Sequence, residues 1–129
     1  MKVFITFFIF TVGFFIFHQH ASAQSVCEQM LSVEKKWNKS LPKKIDPASE
    51  LTQVRVSCGN KTVIYAKRIL VSLRKLAPGW EENQKRQHSQ LHCNAKGLAS
   101  YVGWTAIDVW SDLSYSYVLT IRTSPADCK

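Results

Sequence analysis

Four cysteines that follow an apolar amino terminus constrain the fold of this chain more than any other feature. An even number of cysteines behind an export signal indicates disulfide bonds, because exported proteins reach oxidising compartments. The cysteines lie 31 to 35 residues apart and lack the close Cys-x-x-Cys pairs of a structural zinc site. We therefore expect two disulfides among Cys27, Cys58, Cys93 and Cys128.

The amino terminus has the order of a cleavable signal peptide. A basic Lys2 precedes an apolar run from Val3 to Phe17, and the small residues Ala21-Ser22-Ala23 follow. This order matches a secretory signal, and the run of about 15 residues is shorter than the roughly 20 that cross a bilayer as a helix. We predict that residues 1–23 are removed by cleavage before Gln24, with an uncleaved anchor as the alternative.

Four cysteines allow three disulfide pairings. The preferred pairing joins Cys93 to Cys128, which would tie the carboxyl-terminal tail to the end of a second helix. It leaves Cys27 to pair with Cys58, which would tie a first helix to a first strand. The other two pairings remain open on sequence grounds.

The charge of the chain after cleavage is unevenly distributed. Residues 24–129 are long enough for one domain with a modest core. Residues 24–75 contain eleven Lys and Arg against four Asp and Glu, whereas residues 76–129 contain five of each. This asymmetry points to an anionic partner, either an anionic envelope component or an acidic exported protein. The favoured interpretation is that the positive surface serves only solubility, because no basic run matches a nucleic-acid module.

Five lysines form the densest part of the basic half: Lys35, Lys36, Lys39, Lys43 and Lys44. Few aromatic residues are interleaved with them, so nucleic acid is not favoured as the partner. We predict that these lysines contribute to a partner-binding surface. The alternative is a solvated helix face and a strand edge, where lysine discourages unwanted strand pairing.

Hydrophobic periodicity predicts two helices, whose apolar stripes include Trp37 and Leu91, and two hairpins. Ser25 is expected to cap the first helix. Leu41–Glu50 is predicted to be a connector, and Gly97 weakens the end of the second helix. The resulting order is α-β-β-α-β-β, an α+β domain with one antiparallel sheet of about four strands and both helices on one face. The predicted elements are a helix over 26–39, strands over 51–57 and 62–71, a helix over 80–100, and strands over 103–110 and 115–123.

Two stretches carry a resemblance to a diffuse group of small exported bacterial proteins of unknown function. The first is Leu41-Pro42-Lys43-Lys44-Ile45-Asp46 followed by a hairpin that ends in Val63-Ile64-Tyr65. The second is Leu91-His92-Cys93, then a hairpin, then Asp127-Cys128. The resemblance covers roughly residues 41–128 and implies the same fold and the Cys93–Cys128 pairing. It implies no catalytic residue or cofactor, and the pair Cys27 and Cys58 departs from it.

Two pairs of titratable residues are candidates for chemistry. His88 and His92 lie four residues apart on the predicted second helix, a spacing that suits two imidazoles on one metal ion. The glutamate of a hydrolase signature is absent, so exposed helix histidines are the favoured interpretation. Asp108 and Asp112 flank the last hairpin, where acid–base work and an ordinary turn aspartate are the alternatives. We predict no catalytic residue, metal ligand or cofactor.

Aromatic residues on the last hairpin offer a second binding surface. Trp104 and Trp110 share a predicted strand face, and Tyr115 and Tyr117 alternate on the facing strand. Trp110 is a candidate partner-binding residue, because tryptophan often anchors interfaces. The favoured interpretation is that this face forms the core, since a small domain needs its large apolar groups inside.

The features together predict a small exported, periplasmic or secreted, disulfide-bonded accessory or binding module without enzymatic activity. One alternative is a masking protein of the immunity or exclusion type that binds a single exported partner. Another is a small metal-dependent hydrolase that uses His88 and His92. Asn38 and Asn60 each begin an Asn-x-Ser/Thr triplet, which marks a glycosylation site only in a eukaryotic secretory pathway.

Overall fold

The computed structural model describes residues 17–129, with side chains from Ser25 onward. Most of the predicted signal peptide therefore lies outside the described residues. The described part is an α+β domain in which one five-stranded sheet carries two helices. The elements are α1 (Phe17–Asn38), β1 (Lys43–Asp46), β2 (Ser49–Ser57), β3 (Thr62–Ile69), α2 (Trp80–His92), β4 (Thr105–Ser111) and β5 (Tyr117–Thr123).

The sheet is mixed, which corrects the expectation of a purely antiparallel sheet. The strands lie in the order β1-β2-β3-β4-β5, and both predicted hairpins, β2–β3 and β4–β5, are antiparallel. β3 and β4 pair in parallel, with Thr62 opposite Thr105 and Arg68 opposite Ser111. The cause is the crossover through α2, which returns the chain to the end of the sheet where β3 began.

A fifth strand, β1, lies in the segment that was expected to be a connector. Lys43 pairs with Leu51, and Lys44 pairs with Glu50 across a short antiparallel ladder. The Asp46 carboxylate closes the turn into β2 by accepting the Ala48 N–H and the Ser49 hydroxyl, each at 2.7 Å. The two prolines of this segment flank the strand, so they do not interrupt its hydrogen bonds.

The described part of α1 runs from Phe17, nine residues before the expected start, so residues upstream of the predicted cleavage site belong to the helix. Ser25 therefore lies inside α1 of the uncleaved chain and is not its cap. The carboxyl-terminal end of α1 covers the part of the β2 edge that does not pair with β1. Asn38 exchanges two hydrogen bonds with the Val54 backbone, at 2.8 and 2.9 Å, and Glu34 accepts the Val56 N–H at 3.0 Å. A glycan on Asn38 would break its pair of bonds.

α2 ends at His92, eight residues before the predicted end. Asn94 turns the chain there, since its side chain donates to the Leu91 carbonyl and accepts the Lys96 N–H. Gly97 then folds back onto the helix end, where a Cβ atom would lie 2.2 Å from the His92 carbonyl oxygen. A single wide helical turn, Leu98–Val102, leads into β4.

Both helices lie on one face of the sheet, as predicted. α1 packs on a core cluster of Val54, Val63 and Trp104, and α2 packs through Trp80 on a cluster of Ile69, Trp110 and Ile121. Val63 and Ile69 are six residues apart on β3, so their side chains lie on the same face. No helix in the described range 17–129 has an apolar stretch long enough to cross a membrane.

Both preferred disulfides are present. Cys27 on α1 bonds to Cys58 just after β2, with Cα atoms 5.6 Å apart. Cys93 at the end of α2 bonds to Cys128 in the tail, with Cα atoms 5.2 Å apart. Each bond joins a helix to a distant part of the chain, so each fixes a helix against the sheet.

Candidate functional site

The histidines of α2 face the sheet, which corrects the expectation that they are exposed. His88 is 4 % exposed and His92 is 7 % exposed, whereas Leu91, expected in the apolar stripe, is 60 % exposed. The two imidazole rings pack against each other with centroids 4.5 Å apart. His92 also stacks on Tyr65 of β3, with centroids 6.0 Å apart. The buried face of this helix is therefore polar.

Asp108 of β4 is the anion at the centre of this polar layer. It is 3 % exposed, and its Oδ2 lies 2.5 Å from the Lys67 ammonium of β3. Its Oδ1 faces the His88 Nε2 atom at 3.5 Å, a separation long for a hydrogen bond. Burial raises the pKa of Asp108, but the contacts with His88 and Lys67 outweigh burial and hold the pKa below its usual range.

A buried hydroxyl completes the layer without making it catalytic. The Thr123 Oγ1 lies 2.7 Å from the His88 Nδ1, so hydroxyl, imidazole and carboxylate follow one another. A nucleophile must reach a substrate, and Thr123 is only 2 % exposed. Asp112 lies apart in the β4–β5 turn, where it accepts the N–H groups of Ser114 and Ser116. The two aspartates therefore do not form an acid–base pair.

The histidines are not arranged as metal ligands. The His88 Nδ1 is engaged by Thr123, and the His92 ring stacks on Tyr65 and packs at a steep angle against His88. Among the residues that the structure describes, no group of three or more His, Cys, Asp or Glu side chains is placed to hold a metal ion. The arrangement instead supports the packing of α2 on the sheet.

A groove opens beside the polar layer, between the carboxyl-terminal ends of α1 and α2 and the strand β1. Its volume is about 460 Å³. Three large apolar side chains stand half-exposed around it, Trp37 at 44 %, Ile45 at 51 % and Leu91 at 60 %. We call this feature the helix groove; its walls are Trp37, Ile45, Leu51, Leu91, Asn94, Lys96, Gly97 and Leu98, and its floor is Tyr65, Lys67, His92 and Asp108.

The floor of the helix groove is polar but internally neutralised. Lys67 and Asp108 form an ion pair. Burial, with a smaller contribution from Asp108, raises the pKa of Tyr65 to about 12, so its phenol is uncharged at neutral pH. Sequence reasoning missed the groove because it assigned Trp37 and Leu91 to buried stripes, while Ile45 lay in a segment expected to be a connector.

The predicted partner-binding residues separate into two groups. Lys35, Lys36, Lys39, Lys43 and Lys44 are all exposed, near the end of α1 and on β1, the two elements that contribute Trp37 and Ile45 to the helix groove. Trp110 is 2 % exposed and packs edge-to-face on Trp80, with ring centroids 5.2 Å apart. The structure therefore places Trp110 in the core, the favoured interpretation of its strand face, and not on a binding surface.

His92 makes the stability of the protein depend on pH. Burial, followed by the neighbouring His88 and Lys67, lowers the pKa of His92 to about 4, although Asp108 acts in the opposite direction. Below the unfolded value of about 6.5 the unfolded chain binds the proton first, so the free energy of unfolding falls as the pH drops towards 4. The loss is at most about 3 kcal/mol.

Urea unfolding of wild type and His92→Gln at several pH values between 7 and 4.5 measures this loss. We expect the wild type to lose stability across this range and His92→Gln to give a flatter profile. The range stays above the pH at which Asp108 takes up a proton. Parallel profiles for the two proteins would contradict the assignment of the effect to His92.

Two solved structures share the fold. One is the crystal structure of a protein described as secreted, from Pseudomonas aeruginosa; it is 16 % identical, covers 83 % of this chain and 96 % of its own, and superposes with a TM-score of 0.64. The other is EpsS, the pilotin of the Vibrio vulnificus type 2 secretion system, at 12 % identity, 84 % and 97 % coverage, and a TM-score of 0.61. Neither a family model nor a curated protein sequence matches the chain.

Proposed function

We propose that this chain is an exported accessory protein, without enzymatic activity, whose helix groove binds a segment of another exported protein. The observation that carries the proposal is the half-exposed set Trp37, Ile45 and Leu91 around one opening. Aromatic and aliphatic side chains gathered at a concave surface are typical of sites that take apolar anchors from a partner. The signal-like amino terminus and the two disulfides support export.

The partner segment is acidic as well as apolar. Lys96 lines the helix groove, and Lys43 and Lys44 immediately precede Ile45 on β1. None of these lysines forms an ion pair within residues 17–129. Carboxylates on the partner would meet this basic rim and speed the encounter.

A binding role suits the floor of the helix groove better than a catalytic role does. The two charged side chains of the floor, Lys67 and Asp108, form an ion pair with each other. The hydroxyl that touches His88 is buried under α2. A substrate in the groove would therefore meet a packed, neutral surface rather than a free nucleophile or base.

The likeness to EpsS favours a narrower role within this proposal. EpsS is a pilotin of a type 2 secretion system, and its fold covers most of this chain. On that reading, the partner is a component of a secretion system. A masking protein would use the same groove but would block its partner. An assay of the partner's activity distinguishes the two roles, because a masking protein lowers that activity and a helper does not.

A photo-reactive amino acid at position 91 tests the groove in the organism that encodes the chain. We expect one protein adduct, cross-linked through a peptide that carries apolar residues beside Asp or Glu. The reason is that Leu91 is 60 % exposed and lines the helix groove. Mass spectrometry of the adduct identifies the peptide.

Leu113 provides the matched control. It is 52 % exposed, lies in the β4–β5 turn and does not line the helix groove. The same photo-reactive group at position 113 is expected to leave the adduct absent. Equal adducts at both positions, or a peptide without acidic and apolar residues, would overturn the proposed function.

A further inference from the structure

A second cavity lies beside the helix groove, along the amino-terminal half of α2. Its volume is about 430 Å³. Three amide side chains of α2 line it, those of Asn83, Gln84 and Gln87. The rest of its lining comes from the turn between β1 and β2, the end of β3 and residues 71–77. We call it the amide cavity.

The amide cavity and the helix groove are consecutive parts of one channel. On α2, Gln87 lines the amide cavity, and Leu91, one helical turn later on the same side, lines the helix groove. On β3, Ile69 lines the amide cavity, and Lys67, two residues earlier on the same face, lines the helix groove. A segment that leaves the helix groove towards the start of α2 therefore enters the amide cavity.

The side of α2 that lines the amide cavity is polar at positions where a helix packed on a sheet is usually apolar. Trp80, Asn83, Gln84 and Gln87 have the spacing i, i+3, i+4 and i+7, which places them on one side of the helix. Asn83 and Gln84 are half-buried. The side chains of Gln84 and Gln87 form no hydrogen bond with any residue that the structure describes. Their hydrogen-bonding groups are therefore available to a ligand.

The chemistry of the amide cavity matches a peptide backbone. A side-chain amide offers a donor and an acceptor without charge, and each peptide group offers the same pair. Asp46 and Lys75 bring opposite charges to the lining, so the cavity has no excess of either sign. The Asp46 carboxylate is also engaged by its own turn, where it accepts the Ala48 N–H and the Ser49 hydroxyl.

An extended segment suits this row of amides better than a helix does. The backbone groups of a helix bond to one another, so they would leave the amides of α2 without partners. In an extended chain, the groups on one side recur every two residues, or about 6.6 Å. Asn83 and Gln87 are four residues apart, which is about 6 Å along the axis of α2.

We propose that the partner segment in the helix groove continues through the amide cavity as an extended chain, with its backbone hydrogen-bonded to the amides of α2. This inference rests on the proposed function and specifies the conformation of its partner. From Trp80 to Leu91 the channel follows α2 for about 16 Å, which accommodates about five extended residues.

The spacing of cross-links on the partner measures this conformation. A photo-reactive amino acid is placed at position 84 or at position 91 in the organism that encodes the chain, and mass spectrometry locates each adduct. The two positions are about 10 Å apart along α2. We expect adducts with one peptide, at sites about three residues apart, whereas a helical partner would give sites about seven residues apart. Gln90 is exposed and lines neither cavity, so the same group at position 90 is expected to give no adduct.

The double variant Gln84→Leu with Gln87→Leu tests the amides themselves. Leucine is similar in size but removes the donors and acceptors. Binding of a synthetic peptide with the cross-linked sequence is expected to weaken about tenfold, the change that two lost hydrogen bonds produce. Gln53→Leu with Gln90→Leu alters two exposed glutamines that line neither cavity, and it is expected to leave binding unchanged. Circular dichroism checks that each variant is folded.

Three results would overturn the inference while leaving the proposed function intact. They are an adduct at position 91 without one at position 84, adduct sites about seven residues apart, and equal weakening by the two double variants. The absence of an adduct at position 91 would instead contradict the proposed function, and the inference would fail with it.

Discussion

Asp108→Asn is expected to lower the free energy of unfolding by about 3 kcal/mol. The substitution keeps the shape of the side chain but removes the anion that Lys67 contacts at 2.5 Å. Breaking a buried ion pair costs about 3–5 kcal/mol, because the remaining charge stays buried without a partner. The lower end applies, since the Lys67 side chain is 20 % exposed at the helix groove and reaches water there. Urea unfolding at pH 7 measures the change.

The double variant Lys67→Met with Asp108→Val separates the ion pair from the packing. Both replacements are apolar and close in volume to the residues that they replace, so no charge is left unpaired and the loss of stability is expected to be well below that of Asp108→Asn. Glu82→Gln is the matched control for a carboxylate-to-amide change, because its side chain is 78 % exposed. A loss for Glu82→Gln as large as that for Asp108→Asn would contradict the role of the buried pair.

The dependence of unfolding free energy on acidic pH gives a second test of the same ion pair. The pKa of Asp108 is lowered in the fold, so its contribution to stability is present above the unfolded value of 3.8 and is lost as the pH falls through the folded value. Asp108→Asn removes this contribution. The steep loss of stability below about pH 4 is therefore expected to become shallower in the variant.

Local patterns were enough to predict most of the elements. Alternation along β2, β3, β4 and β5 identified the two hairpins, because a half-buried strand shows its burial in every second residue. The cysteine count predicted two disulfides but allowed three pairings, and the structure contains the preferred one. What local patterns did not contain was the direction in which the second hairpin joins the first. That direction depends on the path of the chain through α2, over residues 70–104.

The candidate site was the part least accessible to sequence reasoning. His88 and His92 are polar, so hydropathy placed them on the solvent side of α2 and placed Leu91 inside. The partners that make burial of the histidines favourable, Asp108 and Thr123, come from β4 and β5. Since sequence periodicity reports only on neighbours along the chain, it underestimates buried polar layers and cannot reveal a groove between distant elements.

Trp110→Ala is expected to cost about 3–5 kcal/mol of unfolding free energy. Trp110 is 2 % exposed and packs between Ile69, Ile121 and Trp80, so alanine would leave a cavity in the core. The Lys67 ammonium also lies 5.3 Å from the centre of its ring and would lose this contact. Thermal and urea unfolding measure the loss.

Two further variants test whether Trp110 belongs to the core or to a binding surface. Trp37→Ala makes the same chemical change at a side chain that is 44 % exposed, so we expect it to cost about 1 kcal/mol or less while it weakens partner binding. Trp110→Phe also removes the indole N–H, which has no hydrogen-bond partner within the described residues. The loss of unfolding free energy for Trp110→Phe is therefore expected to be well below that for Trp110→Ala. The phenyl ring fills most of the space, and the substitution also removes a buried donor that has no hydrogen-bond partner. A stable Trp110→Ala protein that no longer bound its partner would instead return Trp110 to the binding surface.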